Sequence, residues 1–351
     1  MYRVLLCKDG KSENITDLVG ELSWNESLET VGITLSFIVP DTVERYVPRL
    51  KIEAGDIIQL FNAEGELIRA VVVSVSRDFP RRNIKALDFG FYLNKNDTVI
   101  QFKDKSVSEC LKQLFSKVGV SVGSICDMPA KVNGVYIKNV NEIIKELIKI
   151  QEDNDGKKYY YELRADKIYV FQMPTEPISY IFKPAINVGS FDVTDKNAHS
   201  RGKYTHSIED MKNSIIAEVN SKESGRMPEK MFIARDETNI KKYGLLSENY
   251  SVNSDEADNI KEVANKRLKE KNTIKRELSM DFIGHVAPHK MVRSAKPTFA
   301  EGKSAEYLAR PGRVMHIEDD YLGINANFRI KSVSHRISGC NHTMSCSLEG
   351  L

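Results

Sequence analysis

The hydrophobic period of this chain changes twice, and those changes constrain its fold more than any motif does. From Tyr2 to about Asp97 the apolar residues fall in short strand-like runs: Tyr2–Cys7, Ile15–Trp24, Val31–Val39, Asp56–Phe61, Glu66–Ser76 and Arg82–Leu93. Turn formers such as Asp9-Gly10, Pro40-Asp41, Glu64-Gly65 and Pro80-Arg81 separate them. Short strands at about 8–12-residue spacing, with no helical segment between them, predict a sandwich or barrel. The run Ala70-Val71-Val72-Val73 is apolar on both faces and has to be covered on both, by neighbouring segments or by another subunit.

From about Phe102 to Met173 the apolar spacing becomes helical. Ser106 and Glu109 stand at capping-box spacing, and Val107, Cys110, Leu111, Leu114, Phe115 and Val118 then share one helix face, with Gly119 suited to a left-handed stop. A second helix starts at a cap on Asn139, with Glu142 three residues on and a stripe of Val140, Ile143, Ile144, Leu147 and Ile150. A hairpin, Tyr159–Leu163 into Ile168–Phe171, closes this small α+β module.

From about Glu176 to Leu351 strands return, at Ser179–Phe182, Asn187–Val193, Ser214–Val219, Met231–Ala234 and Leu245–Tyr250. One long helix is expected inside this stretch, over 253–272, acidic at its start and basic at its end, which suits the helix dipole. Beyond it, Leu278, Met280 and Phe282 alternate with polar residues. The C-terminal alternation of His342, Met344, Cys346 and Leu348 predicts a hairpin with Phe328–Ile337. The fold class is therefore mainly β with an α+β insertion and one long helix. Its domains are 1–98 (a sandwich or barrel), 99–175 (the α+β module) and 176–351 (a second strand-rich domain carrying the helix).

Composition narrows the function classes. The 51 basic and 49 acidic residues leave a formal charge of +2, which is not the strong basicity of a dedicated nucleic-acid binder, and no sequence-specific nucleic-acid contact is expected. No apolar run approaches the roughly 20 residues of a spanning helix, so no membrane insertion is expected. The start is too soon charged for a signal peptide. The five cysteines, Cys7, Cys110, Cys126, Cys340 and Cys346, are odd in number, scattered and without a CxxC, as for mostly buried free thiols in a protein folded in the cytosol.

His335, Cys340, His342 and Cys346 are the cluster that looks most like a metal site, but they lack tight C-x2-C spacing, and the alternation sends Cys346 inward as core. His316 and Glu318 would share a strand face, with Asp319-Asp320 leading into a turn. No nucleophile elbow, phosphate loop or dinucleotide fingerprint occurs. No catalytic residue, cofactor or metal is therefore assigned. The segment 285–313 resists assignment and carries Lys290, Arg293, Lys296, Lys303, Arg310 and Arg313 against Glu301 and Glu306, six minus two, or +4. Unstructured loops beyond roughly 12–15 residues are uncommon unless functional, so its basic residues are expected to contact another subunit or face a lumen.

Module order and local phrases carry a resemblance. The phrases are Gly55-Asp56-Ile57-Ile58-Gln59-Leu60, Glu66–Val72, Ile84–Asp88 with Tyr92-Leu93, Ile208–Asn213, Lys242–Leu246, the Asp255–Lys271 helix, Pro311-Gly312, Ser332–His335 and Met344–Leu348. Together they resemble the baseplate hub proteins of contractile phage tails, in particular those of defective-prophage and bacteriocin-type tails of Gram-positive bacteria. The resemblance implies two barrels like the tail-tube protein. It also implies a homotrimer whose six barrels form a pseudo-sixfold ring between tail tube and central spike. Implied partners are the spike protein, a tail tube or tube-initiator protein, other baseplate proteins, and the tape-measure protein in the lumen. The implied location is the baseplate of a virion or tail-like particle. Some such hubs carry a fused peptidoglycan-cleaving domain; with the last strand reaching Leu348 and the sequence stopping at Leu351, none is expected here. The alternative is a cell-wall-active hydrolase or glycan-binding tail protein, drawing on the Tyr159-Tyr160-Tyr161 stripe and on His316 with Glu318.

Overall fold

The computed structural model describes residues 2–30, 32–42, 44–62, 65–184, 197–199, 202–219, 228–252, 254–283, 309–338 and 341–351. They form two compact units, one of Met1–Gly202 with Ser279–Glu349 and Leu351, the other of Lys203–Leu278 with Gly350. Mainly β architecture with few helices, as the periods predicted, holds in both.

The chain opens with β1 (Arg3–Lys8), β2 (Lys11–Asn14), β3 (Gly20–Ser27), β4 (Thr34–Pro40), β5 (Ile57–Asn62), β6 (Gly65–Asp78) and β7 (Arg81–Asp88). They lie side by side in the order β3-β4-β7-β6-β5-β1-β2. Val4, Leu35, Phe37, Ile58, Leu60, Ala70, Val72 and Ile84 fill one core. The apolar β6 run is covered from within the chain: Ala70, Val71 and Val72 are all buried, and nearby Ile68 bridges Ala165 of the central module. The strand expected to reach Leu93 stops at Asp88, and Gly90–Lys95 form helix α1 instead. Asp88 forces the change, because its carboxylate accepts the Gly90 N–H at 2.9 Å and turns the backbone there.

The central module comprises β8 (Asp97–Ser106), α2 (Val107–Lys117), β9 (Ser121–Ile125), β10 (Lys131–Asn139), α3 (Val140–Asp155), β11 (Tyr159–Arg164) and β12 (Lys167–Gln172). Both caps form as expected. Glu109 N donates to Ser106 Oγ at 3.3 Å while Ser106 N donates to Glu109 Oε2 at 2.8 Å, and Asn141 N donates to Asn139 Oδ1 at 3.0 Å. Gly156 ends α3 at φ 71°, the left-handed geometry glycine adopts without strain. The two helix stripes bury against Ile168 and Val170 of β12. Strands β8, β9 and β10 were not read from the sequence; β8 crosses the expected boundary at 98 and pairs antiparallel with β10.

Next come β13 (Pro177–Pro184) and β14 (Asn197–His199). The expected strand Asn187–Val193 lies outside the described residues. The second unit holds β15 (Lys203–Ser207), β16 (Ser214–Val219), β17 (Lys230–Arg235), α4 (Glu237–Tyr243), β18 (Ser247–Ser251), a 3-10 turn at Ser254–Asn259 and α5 (Ile260–Lys271). Three of these strands, expected in the second barrel, form a separate sheet, β17-β16-β18, whose Ile215, Ala217, Val219 and Ala234 pack with Ala264 of α5. The inserted element is thus a sheet with its helix rather than a helix alone, because strands beside an amphipathic helix can bury their apolar face locally. The expected helix start at 253–254 falls on the 3-10 turn and the residue before it.

The chain returns through β19 (Lys275–Ile283), β20 (Val314–Asp319), β21 (Ile324–Ser338) and β22 (Asn341–Gly350). Strand pairing in the first unit closes a six-membered ring, β14-β13-β20-β21-β22-β19 and back to β14. The C-terminal hairpin has the expected alternation, with Met344, Cys346 and Leu348 buried. Strand β21 divides its length between two partners: Ile324–Arg329 pair with β20 and Ser332–Ile337 with β3. One long strand therefore fuses the ring to the N-terminal strands.

Candidate functional site

A buried charge network and an adjoining cavity lie where the N-terminal strands, the central module and the approach to β20 meet in the first unit. The chain turns at Arg310-Pro311-Gly312-Arg313, with Arg313 N donating to Arg310 O at 3.2 Å. Gly312 takes φ 89°, and a Cβ there would meet the Tyr160 ring at 3.0 Å, so glycine is required twice over. This turn delivers two guanidinium groups to one carboxylate. Arg310 Nε donates to Glu26 Oε2 at 2.8 Å and lies 3.8 Å from Glu162 Oε2, and Arg310 Nη2 donates to the Leu163 carbonyl at 3.1 Å. Arg313 Nη2 reaches Glu162 Oε1 at 3.5 Å, and Arg164 Nε donates to the same oxygen at 2.6 Å. Burial alone would push the Glu162 carboxyl up, but the charges of Arg310, Arg313 and Arg164 outweigh it and hold the group below the usual carboxylate range.

Beside the network is a cavity of about 220 Å³. Leu28, Ile33, Ile148, Leu163, Asp88 and Arg310 are among its walls. Asp88 is 2% exposed, and burial raises its carboxyl to about 7, although the Ile33 and Gly90 amides oppose the shift.

The residues singled out in the sequence are distributed as follows. Arg310 and Arg313 are buried in the network, whereas Lys290, Arg293, Lys296 and Lys303 lie outside the described residues. His316 Nε2 lies 3.7 Å from Glu318 Oε1 on the shared face of β20, and His316 Nδ1 is 2.7 Å from Asn327 Oδ1. The tyrosine stripe faces inward: Tyr159 and Tyr160 are buried, Tyr159 OH donates to Asp155 and Tyr161 OH to Asn141, both at 2.5 Å. That leaves no open aromatic platform on these three residues. His335 Nδ1 and His342 Nε2 are 3.0 Å apart, and His342 Nδ1 is 2.9 Å from Tyr2 OH. Cys346 is buried as core, Cys340 lies outside the described residues, and no metal-binding group of three or more side chains occurs among the described residues. The described cysteines are free thiols, Cys110 and Cys346 buried and Cys7 and Cys126 half-buried. Among the described residues, no helix is long and apolar enough to cross a membrane.

Sequence reasoning missed Glu26, Asp88 and Glu162. The one available signal was Glu162 itself, an acidic residue inside the apolar strand Tyr159–Leu163, which has to be paired if it is buried.

The fold is similar to those of several solved structures. It is similar to the 43 kDa tail protein of prophage MuSo2 from Shewanella oneidensis, with TM-score 0.67 and 11% identity over 99% of this chain and 98% of that one. It is also similar to a tail protein from Neisseria meningitidis MC58, with TM-score 0.65 and 14% identity over 99% and 96%. Prophage tail protein gp18 from Listeria monocytogenes EGD-e matches with TM-score 0.55 and 12% identity over 99% and 94%. No curated protein matches the chain. The sequence model described as YQBQ-like matches residues 22–296, well over half of the 351 residues, and the chain belongs to that family.

Proposed function

We propose that this chain is a structural protein of a phage tail or tail-like particle, the hub of a contractile baseplate. The observation that carries the reading is end-to-end similarity of fold: 99% of this chain aligns with 98% and 96% of two tail proteins, so no large part of either fold is left over. In this reading three copies build a pseudo-sixfold ring that joins the tail tube above to the central spike below. The ring of six paired strands and the N-terminal strands, fused through β21, supply the two barrels each copy brings. A closed ring of strands leaves few free edges, which suits a subunit that must assemble only through chosen faces. Its partners are the spike, the tube or tube-initiator protein, other baseplate proteins and, in the lumen, the tape-measure protein. Lys290, Arg293, Lys296 and Lys303 serve subunit or lumen contacts. The role is mechanical rather than enzymatic, and the protein resides in the virion or particle baseplate.

Analytical ultracentrifugation of the full chain, alone and with a spike protein of the same particle, tests the reading. A trimer that images as a ring with a central opening is expected. A monomer that stays monomeric with the spike and never joins tail particles refutes it.

A further inference from the structure

The central module leaves one sheet edge open. Strands β8 and β10 pair only with each other among the described residues, so each keeps a second edge. Ile100 and Phe102 of β8 turn into the module core, while the opposite face of the pair stays bare. On that face Val99 is 57% exposed, Val135 59% and Ile137 71%, with Ile137 directly opposite Val99. Exposed apolar edge strands template pairing with another chain, which is why natural sheets blunt them. The register fixes where the backbone groups point. Val140 N donates to Asn96 O at 3.0 Å, one step beyond the pair Asn139 and Asp97, so Val140 and Asn96 are hydrogen-bonded partners. Antiparallel ladders alternate bonded and non-bonded pairs, so Lys138 and Tyr136 bond inward to β8, and Ile137 and Val135 direct N–H and C=O outward. Lys117 agrees with this parity: its Nζ donates to the carbonyl of Val99, the residue facing Ile137. That lysine of α2 blunts the β8 edge. Among the described residues nothing bonds the outward groups of Val135 and Ile137 on the β10 edge.

We propose that the outer edge of β10 receives a strand from another protein, an acidic extended segment with apolar side chains at alternate positions. Main-chain pairing supplies the affinity: the segment bonds the outward groups of Val135 and Ile137 and extends two strands to three. Its apolar side chains continue the exposed row of Val99, Ile137 and Val135. Charge selects the occupant. The two strands carry Lys103, Lys105, Lys131 and Lys138 against Asp97 and Asp104, four minus two, or +2. A second copy of this edge would bring the same sign against itself, whereas an acidic segment is complementary. The inference does not rest on the tail assignment, and its failure would leave that assignment untouched.

The experiment adds an octapeptide of alternating valine and glutamate to the full chain and reads amide hydrogen exchange residue by residue. Slowed exchange at Val135 and Ile137 is expected, with Tyr136 and Lys138 unchanged because β8 already bonds them. The same peptide with its backbone amides methylated should give no protection, nor should one of alternating valine and lysine. Ile137→Pro removes an outward N–H at a position where an edge strand tolerates proline, and should weaken binding of the labelled peptide by about tenfold. Ile137→Glu, which changes only an exposed side chain and repels the acidic peptide, should weaken it too if the proline variant fails to fold. The proposal is overturned if exchange at Val135 and Ile137 does not move at millimolar peptide, or if the methylated or the lysine peptide binds as well. It is also overturned if the two amides become protected without peptide as protein concentration rises, which would assign the edge to a second copy.

Discussion

The imidazole of His335 lies flat on the indole of Trp24, ring centroids 4.3 Å apart and planes 10° apart, and the two residues face each other directly across the β3–β21 ladder. This stack stands where the N-terminal strands are fused to the ring, and His342 and Tyr2 extend it by hydrogen bonds. His335 is 1% exposed, and its Nε2 has no hydrogen-bond partner among the described residues.

Acid is therefore expected to loosen this junction. Burial, then the neighbouring His342 and Arg310, hold the His335 imidazole well below its usual range, so the folded chain binds fewer protons here than the unfolded chain. The stability this group contributes is present above the unfolded pKa of about 6.5 and falls as pH drops below it, by about 1.4 kcal/mol per unit. Urea midpoints measured from pH 7.5 to 5 should fall, and His335→Phe should flatten the fall. An unchanged slope in the variant would assign the acid sensitivity to other groups.

Arg310→Met should be among the most damaging single changes in the described residues. It leaves Glu26 and Glu162 buried with a missing counter-charge, which costs about 3–5 kcal/mol where one partner of a buried pair is removed. Adding Glu26→Gln should return part of the loss, since the two sites are in contact and do not add independently. Chemical denaturation of the two single variants and the double variant gives the coupling; a coupling of zero would mean the 2.8 Å pair contributes nothing.

Ser106→Ala should destabilise the central module by about 1 kcal/mol, the usual worth of an N-cap hydroxyl. Hydrogen exchange should localise the effect to α2, leaving amides of the ring strands unchanged.

Gly32→Ala should exceed the ordinary cost of a glycine replacement. Its φ of 100° strains any L side chain, and the new Cβ would approach Asp88 Oδ1 to 2.5 Å. Thermal denaturation should show a larger drop for this variant than for Gly156→Ala, where φ is 71° and nothing lies within 4 Å of the added atom.

Local features were legible in the sequence. The Ser106–Glu109 box, the left-handed Gly119, the Asn139 cap and the inward series Met344, Cys346 and Leu348 depend on residues a few positions apart. The resemblance to tail hubs also led to a fold that whole tail proteins share. The candidate site was not legible in this way. Arg310 and Glu26 are 284 positions apart, and Asp88 reads in the sequence as an interior position of the expected strand Arg82–Leu93.

What the residues by themselves determined was the kind of element at most positions, because side-chain period and cap chemistry act over one or two turns of chain. Tertiary structure alone decided which strands pair. It divided β21 between β20 and β3, drew β16, β17 and β18 into a sheet of their own, and aimed two arginines at one carboxylate. A strand's hydrogen-bonding edge is nearly the same whatever its sequence, so partner choice rests on how distant apolar faces and buried charges can be satisfied together.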